Sequence, residues 1–407
     1  MSATVQESLK NPRIEIVDAL RGFALAGIVI VHMVENYLGA PAPENAMQAT
    51  QMGLGDTIVE AFITIFLRGK FFALFSFLFG LSFFIQMDKA HMQGRDFKGR
   101  FLWRLIILLV IGYLHHLFYR GDILTIYAIL GIFLIPFYTI NNKVILGFVV
   151  LLFFGMGRYL GFLMTQGDSF FFNEPVLPQS ADVIAYFDII KNGTLKEVIV
   201  SNATQGHLMK ADFQLGVFGR GYLTFGFFLL GLLVGRTHFF QNFMDKRKLV
   251  RKILWWSLLL FVVSIGLTAF IFIQLGENAR FDNWLAMFGL TAFDLNNIAM
   301  TFVITCLFVL AYGTVRGGAF LRKFNAYGRM ALTNYVFQSL IGTFILFGWG
   351  LDYLGELRSV YTLLIAVVLI LVQMGLSNWW LRKFYYGPLE WLWRSLTYFK
   401  WYPIKKV

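Results

Sequence analysis

RIEIVDALRGFALAGIVIVHMVENYL, residues 13–38, is an apolar run interrupted by charged and titratable residues. Asp18 and Arg21 sit near its start, His32 and Glu35 near its end. Its length suits a bilayer-spanning helix, since ~20 residues at 1.5 Å each cover ~30 Å of hydrocarbon. Placing a charged side chain in that core costs from about 3 to more than ~10 kcal/mol. A spanning helix keeps such residues when protein rather than lipid surrounds them. The run therefore predicts a first helix enclosed by others.

The rest of the chain has the same character. Of 407 residues, 58% are hydrophobic and 14% charged, where soluble domains carry about a quarter charged. Apolar runs of spanning length recur, so the expected fold is an all-α polytopic integral membrane protein. The net charge of +12 does not imply nucleic acid, because the basic residues form short clusters between apolar runs rather than one patch. The single cysteine, Cys306, excludes an intrachain disulfide and implies no thiolate metal site. Lys10 and Arg13 in front of the first run, with Ala40-Pro41-Ala42 behind it, resemble the flanks of a cleaved signal peptide. The length of the run and its four polar interruptions favour a retained first helix.

Ten runs read as spans: 16–38, 70–87, 101–118, 122–140, 143–165, 214–235, 250–275, 284–312, 328–350 and 359–381. Segment 54–69 is apolar but broken by Glu60 and Arg68, and is expected to be interfacial or re-entrant on the outer side. With the N-terminus inside, 24 of the 35 Lys and Arg residues fall in cytoplasmic segments. Six fall outside: Arg120, Lys191, Lys196, Lys210, Arg280 and Arg358. That bias predicts both termini in the cytoplasm. The chain then divides into 1–165 with five spans, a polar outer insertion over 166–213, and 214–407 with five more spans and a cytoplasmic tail. After Pro175 and Pro178, the stretch from Ala181 to Lys210 reads as helical. Its Val183, Ile184, Phe187 and Ile190 suit an amphipathic helix on the outer surface, or a lid over an outward cavity. No repeat of fixed period is visible.

The polar residues fall into two layers. His32 lies ~24 Å along its helix from Ile16, at the outer leaflet, and Glu35 shares its face. The third span ends in GYLHHLFYRGDILTIYA, which brings His115 and His116 to the same depth with Arg120 and Asp122 in the turn beyond. Neighbours on a helix diverge by ~100°, so at most one of the two histidines faces a common cavity. Arg158 belongs to the outer half of the fifth span, and Arg220 opens the sixth. Toward the cytoplasm, Asp18 and Arg21 are three apart, and pairing with each other is their simplest role. Asn334, Gln338 and Ser339, with Asp294, Asn296 and Asn297, add polar groups near mid-membrane. Interhelical hydrogen bonds account for these; the alternative is a route from the cytoplasm to the outer cluster. His32, Glu35 and His115 show no HExxH-like spacing, so no metal is expected. No GK[ST] phosphate loop and no GxSxG elbow occur.

Several stretches resemble the YeiB-like family of bacterial membrane proteins, also called domain of unknown function 418: VDALRGFALAGIVIVHM, GKFFALFSFLFG, GYLHHLFYRGDILTIYAILG, GRMALTNYVFQSL and YGPLEWLWRSLTY. The first helix, with Arg21 and His32 eleven apart, is similar to the opening Arg and His pattern of acyltransferase family 3. Its Asp18 to Gly22 segment also resembles the Asp-x-x-Arg-Gly start of heparan-α-glucosaminide acetyltransferases. These resemblances imply a ten-span core in the bacterial cytoplasmic (inner) membrane. They imply an enzyme that takes acyl groups from cytoplasmic acyl-CoA, acetyl-CoA in the first instance, and transfers them to an acceptor on the far side. Some YeiB-like members carry Asn where this chain has His32, whereas His115 matches a histidine before the GDIL turn.

The residues suit that chemistry. Acyl transfer to a hydroxyl needs a base with a near-neutral pKa, here His32 or His115. Glu35 or Asp122 is placed to hold the imidazole in its working tautomer. Arg21, with Asp18, Asn334 and Gln338, fits the donor side. Arg158, Arg220, His116 and Arg120 fit the acceptor side. The acceptor is expected to be an envelope glycan, a lipid or an exported small molecule, and the partners membrane lipids rather than nucleic acid. A small-molecule transporter explains buried ionisable groups equally well, and a non-catalytic partner protein is the third reading. The oligomeric state stays open, with a homodimer as one arrangement.

Overall fold

In lipid every backbone N–H and C=O must be satisfied within the chain, which leaves helices or closed barrels. This chain takes the first solution. The computed structural model describes residues 13–43, 46–172, 176–276 and 281–406; Lys10, Pro175 and Arg280, read above, lie outside them. Among the described residues the only extended pairing is an isolated bridge between Phe384 and Lys405.

The helices run α1 (Glu15–Val34), α2 (Leu54–Phe62), α3 (Lys70–Met92), α4 (Lys98–Phe118), α5 (Leu124–Leu134), α6 (Asn142–Phe153) and α7 (Met156–Thr165). The insertion holds α8 (Ala181–Asn192), α9 (Leu195–Ser201) and α10 (His207–Leu215). There follow α11 (Arg220–Arg236), α12 (Arg247–Leu275), α13 (Trp284–Tyr312), α14 (Val315–Leu321), α15 (Asn325–Arg329), α16 (Ala331–Leu346), α17 (Ser359–Lys383) and α18 (Pro388–Tyr398).

Six helical stretches among the described residues are long and apolar enough to cross a bilayer: α1, Leu54–Met92, α4, α12, α13 and α17. Two bent pairs, α6 with α7 at 53° and Leu195–Leu215 with α11 at 63°, raise the number to eight if each is one broken span. The runs expected at 122–140 and 328–350 fold as the shorter apolar helices Leu124–Thr139 and Ala331–Leu346. The first tightens to a 3-10 turn over Ile135–Thr139, where Pro136 removes a backbone donor. Segment 54–69 folds as α2 and a π-helical turn, Ile63–Leu67, and the chain breaks at Arg68 and Gly69 before α3. With α3 the stretch is 39 residues long.

The insertion is not one amphipathic helix. Gly193 ends α8, and Thr194 restarts the chain with a capping box in which its hydroxyl receives the Glu197 N–H and the Glu197 carboxylate receives the Thr194 N–H. Val183 and Ile190 turn inward and are fully buried, while Ile184 stays exposed.

The first helix is enclosed as its polar residues require. It packs against α3, α15, α16 and α17, and Leu20, Ala24, Leu25 and Val29 have no exposed surface. The closest approach is backbone to backbone: a Cβ on Gly328 would lie 2.0 Å from the Asp18 carbonyl, and one on Gly22 would lie 2.3 Å from that of Phe324. Neither carbonyl can give way without moving its helix. In detergent-solubilised protein, Gly328→Ala should cost about 1–3 kcal/mol and lower the melting temperature followed by tryptophan fluorescence. Gly147→Ala in α6, where a Cβ meets nothing within 4 Å, should be neutral or stabilise by up to ~1 kcal/mol.

Candidate functional site

The GDIL turn between α4 and α5 builds the centre of the site. Asp122 follows Gly121 and turns its carboxylate back over the start of α5, where it accepts from Leu124 N–H at 3.1 Å and from Thr125 N–H and Oγ1 at 3.0 and 2.9 Å. The same carboxylate meets His115 Nδ1 at 2.8 Å. A carboxylate can only accept, so in the neutral ring Nδ1 carries the proton and Nε2 the lone pair. His115 Nε2 is buried without a hydrogen-bond partner.

His32 arrives at the same place from α1. Its ring centroid is 5.3 Å from Tyr119 and 6.3 Å from Tyr335, and that of His115 is 6.0 and 5.2 Å from the same two rings. Two imidazoles from distant segments thus share one pair of tyrosines. Gln338 belongs to this layer, not to the donor side expected above: its amide lies 3.4 Å from His32 Nδ1, and its oxygen accepts from Tyr37. Glu35 does not orient an imidazole. Its carboxylate is paired with Arg68, which also reaches Glu60.

His116 faces away, as helical geometry demands. Its Nε2 lies 3.0 Å from the Asn202 carbonyl of the insertion. Arg120 clamps the same segment through Asn202 Oδ1 at 3.2 Å and Ser201 Oγ at 3.1 Å, with its guanidinium 3.3 Å from the Tyr186 ring centre. Both residues therefore hold the insertion down. Arg158 is also fully engaged, donating to the Val217 and Phe218 carbonyls, Thr291 Oγ1 and Asp294. Arg220 is different: its guanidinium lies 3.6 Å from the centre of the Phe72 ring. Sequence reasoning counted Lys210 only as an outer basic residue. Its ammonium in fact stands 3.6 Å from the Asp122 carboxylate and 3.1 Å from Thr125 Oγ1. Only the folding of the insertion onto α4 brings it to the start of α5.

A cavity of about 260 Å³ lies toward the other end of the bundle. Arg21, Arg104, Arg329 and Glu390 line one part of it, and Tyr127 and Tyr335 another. Since Tyr335 packs on His115, one aromatic ring separates the cavity from the dyad. Arg21 pairs with Asp18 at 2.9 Å and with Ser82 Oγ at 3.0 Å. Asn334 is spent on interhelical bonds to Ser377 Oγ at 2.9 Å and the Tyr327 carbonyl at 3.3 Å. Arg104, stacked 3.6 Å over the Trp393 ring centre, and Glu390 escaped the sequence reading. The signal for Glu390 was its place as a lone acid in the aromatic stretch GPLEWLWR.

Residues 234–400 match the profile of a family described as "Protein of unknown function (DUF418)". Over the full length, the chain is 31% identical to "Uncharacterized protein YxaH" of Bacillus subtilis (strain 168), an alignment covering 99% of both. It is 27% identical to "Uncharacterized protein YeiB" of Escherichia coli (strain K12), over 93% of this chain and 95% of that one. The chain belongs to the YeiB-like DUF418 family. The matched DUF418 region carries Arg329 and Glu390 of the cavity, and the full-length relatives extend the likeness across the GDIL turn.

Glu390 offers a check on the cavity wall. Burial raises its carboxyl above the ordinary 4.5, only partly offset by the hydrogen bonds from Thr333. The folded chain then holds this proton more tightly than the unfolded one, so the stability it confers is greatest at low pH and declines as pH rises through the window above ~4.5. Melting temperatures taken between about pH 4 and 7 should move in favour of Glu390→Gln over wild type as pH rises.

Proposed function

We propose that the protein is an integral membrane acyltransferase of the bacterial cytoplasmic membrane, with ten spans and both termini in the cytoplasm. Acyl-CoA, acetyl-CoA in the first instance, enters from the basic end of the bundle. The acyl group passes to a hydroxyl or amine of an extracytoplasmic acceptor: a glycan, a lipid or a small molecule. The observation that carries this reading is His115, tied through Nδ1 to Asp122 with Nε2 buried and unpartnered.

In the reaction so proposed, His115 Nε2 takes the proton of the acceptor O–H or N–H as that atom attacks the thioester carbonyl. The C–S bond breaks, and the CoA thiolate leaves with the proton returned from His115, giving the acyl ester or amide and free CoA. The Gln338 amide, directed at His32 Nδ1, leaves His32 Nε2–H as a donor to the tetrahedral oxyanion. Arg21, Arg104 and Arg329 supply positive charge where the CoA phosphates would arrive. At about 260 Å³ the cavity falls below the ~300–1,000 Å³ of pockets that enclose a drug-sized ligand, so it suits the acyl-pantetheine end with the nucleotide outside. Transport is the second reading, favoured by the two bent helix pairs, since broken helices build transporter sites.

Purified protein should release thiol from acetyl-CoA, and faster in membranes that hold the acceptor. His115→Ala should lose a factor of ~10²–10⁴ in that rate, while His116→Ala should retain most of it. No thiol release and no ligand-dependent shift in melting temperature, across acetyl-, succinyl- and longer-chain CoA, would abandon acyl transfer for transport.

A further inference from the structure

The start of α3 is built around a glycine. Gly69 holds φ +82°, and no side chain caps the first turn that follows. A Cβ here would sit 2.9 Å from Oδ1 of Asn297 on α13, so the Asn297 amide lies directly against this helix N-terminus. Asn297 is 1% exposed, yet neither its Oδ1 nor its Nδ2 has a hydrogen-bond partner. An amide buried in that state costs about 1–3 kcal/mol per unsatisfied atom, and such groups are rare enough to need a cause.

The surrounding charges point the same way. Arg68 is matched by Glu35 and Glu60, and Arg158 by Asp294. Lys70 and Arg220 have no carboxylate within ion-pair distance among the described residues. Lys70 is buried and donates to the Thr64 carbonyl at 2.8 Å. Arg220 lies over the ring of Phe72, in the first turn of the helix that Lys70 opens. Cations inside a membrane bundle without a directly paired carboxylate are costly. Arg220 also keeps part of its surface accessible, as do the neighbouring Glu35 and Arg68 side chains.

We propose that Lys70, Arg220, Asn297 and the N-terminus of α3 form a binding site for an oxyanion group, a phosphate or carboxylate, on the molecule that this protein handles. Each part has a role in that chemistry. A helix N-terminus presents free N–H groups and positive potential to anions. The planar guanidinium binds two oxygens at once, the ammonium adds charge, and Asn297 Nδ2 donates a bond it otherwise lacks. The glycine lets the Asn297 amide lie against the helix terminus. That the oxyanion belongs to the acyl acceptor rests on the function proposed above; the site itself rests on its own geometry.

The full-length protein in a neutral detergent is titrated with inorganic phosphate at constant ionic strength, and its melting temperature is followed. In a second arm it is placed in nanodiscs of phosphatidylcholine with or without phosphatidylglycerol. The expected result is a saturable rise in melting temperature, with apparent affinity at least ~tenfold weaker in Arg220→Gln and in Asn297→Asp and partly restored in Arg220→Lys. Response to phosphatidylglycerol alone, lost in the same variants, supports the site with a lipid headgroup as the source of the oxyanion. Should a variant fail to fold, protection of Arg220 from phenylglyoxal by either probe, mapped by mass spectrometry on the wild-type chain, reads the same site. No saturable response to either probe, equal response in wild type and both variants, or modification of Arg220 indifferent to both probes would overturn it. Thiol release without an oxyanion response would remove this site and spare acyl transfer, and the reverse result would do the opposite.

Discussion

A carboxylate enclosed among helices stays ionised only if donors and cations surround it, and Asp122 has five such partners. Two backbone amides and a hydroxyl belong to the start of α5, the imidazole to α4 and the ammonium to α10. One side chain therefore caps a helix, fixes the tautomer of His115 and docks the insertion. Each partner is tolerable in the interior because of the others. Lys210 would be an unpaired buried cation without Asp122, and Asp122 an unpaired anion without Lys210 and the N–H donors. Removing one partner of such a set leaves the rest desolvated and unmatched, which costs more than the pair itself contributes.

The irregular backbone gathers near this layer. π-helical turns occur at Ile63–Leu67 and Asn202–Gly206, and left-handed glycines stand at 69, 155 and 219. A membrane protein can break its helices only where protein or water, not lipid, receives the freed polar groups. Asn202 shows how: its carbonyl meets His116 and its side chain meets Arg120 and the Leu117 carbonyl. Of two residues that read as substrate ligands, His116 meets a backbone carbonyl of this segment and Arg120 holds its side chains.

Fold class and the enclosed first helix were legible in the sequence, because apolar run length and the polar residues within it are local signals. The meeting of His32 and His115 was legible too, since depth follows from 1.5 Å of rise per residue. Which partner each polar group chooses was not. Glu35 and Asp122 were equal candidates to orient a histidine; the fold gave Glu35 to Arg68, and the turn after α4 gave Asp122 to His115. Gln338, read from the sequence as a polar group near mid-membrane, meets His32 and Tyr37. Arg158 looked free and is saturated, whereas Arg220 has no carboxylate within ion-pair distance among the described residues. Periodicity tells neither apart, because the difference lies in what α13 and the 217–218 backbone present across the interface.

The wall between the cavity and His115 is thin, and that bears on how the substrates of the proposed transfer would meet. Tyr335 lies between the cavity and His115. Tyr127 lines the cavity on one side, and its hydroxyl meets Ser76 Oγ at 2.7 Å and the Phe72 carbonyl at 3.3 Å. Phe72 in turn carries Arg220 on its ring. A thioester in the cavity and an oxyanion at Arg220 would thus be parted by the Tyr127 ring and the first turn of α3, to which Phe72 belongs. Rotation of a ring costs far less than separation of two packed helices whose backbones touch at Gly22 and Gly328. The proposed transfer would therefore need side-chain motion at Tyr335, between the cavity and His115, and would leave the helix scaffold in place.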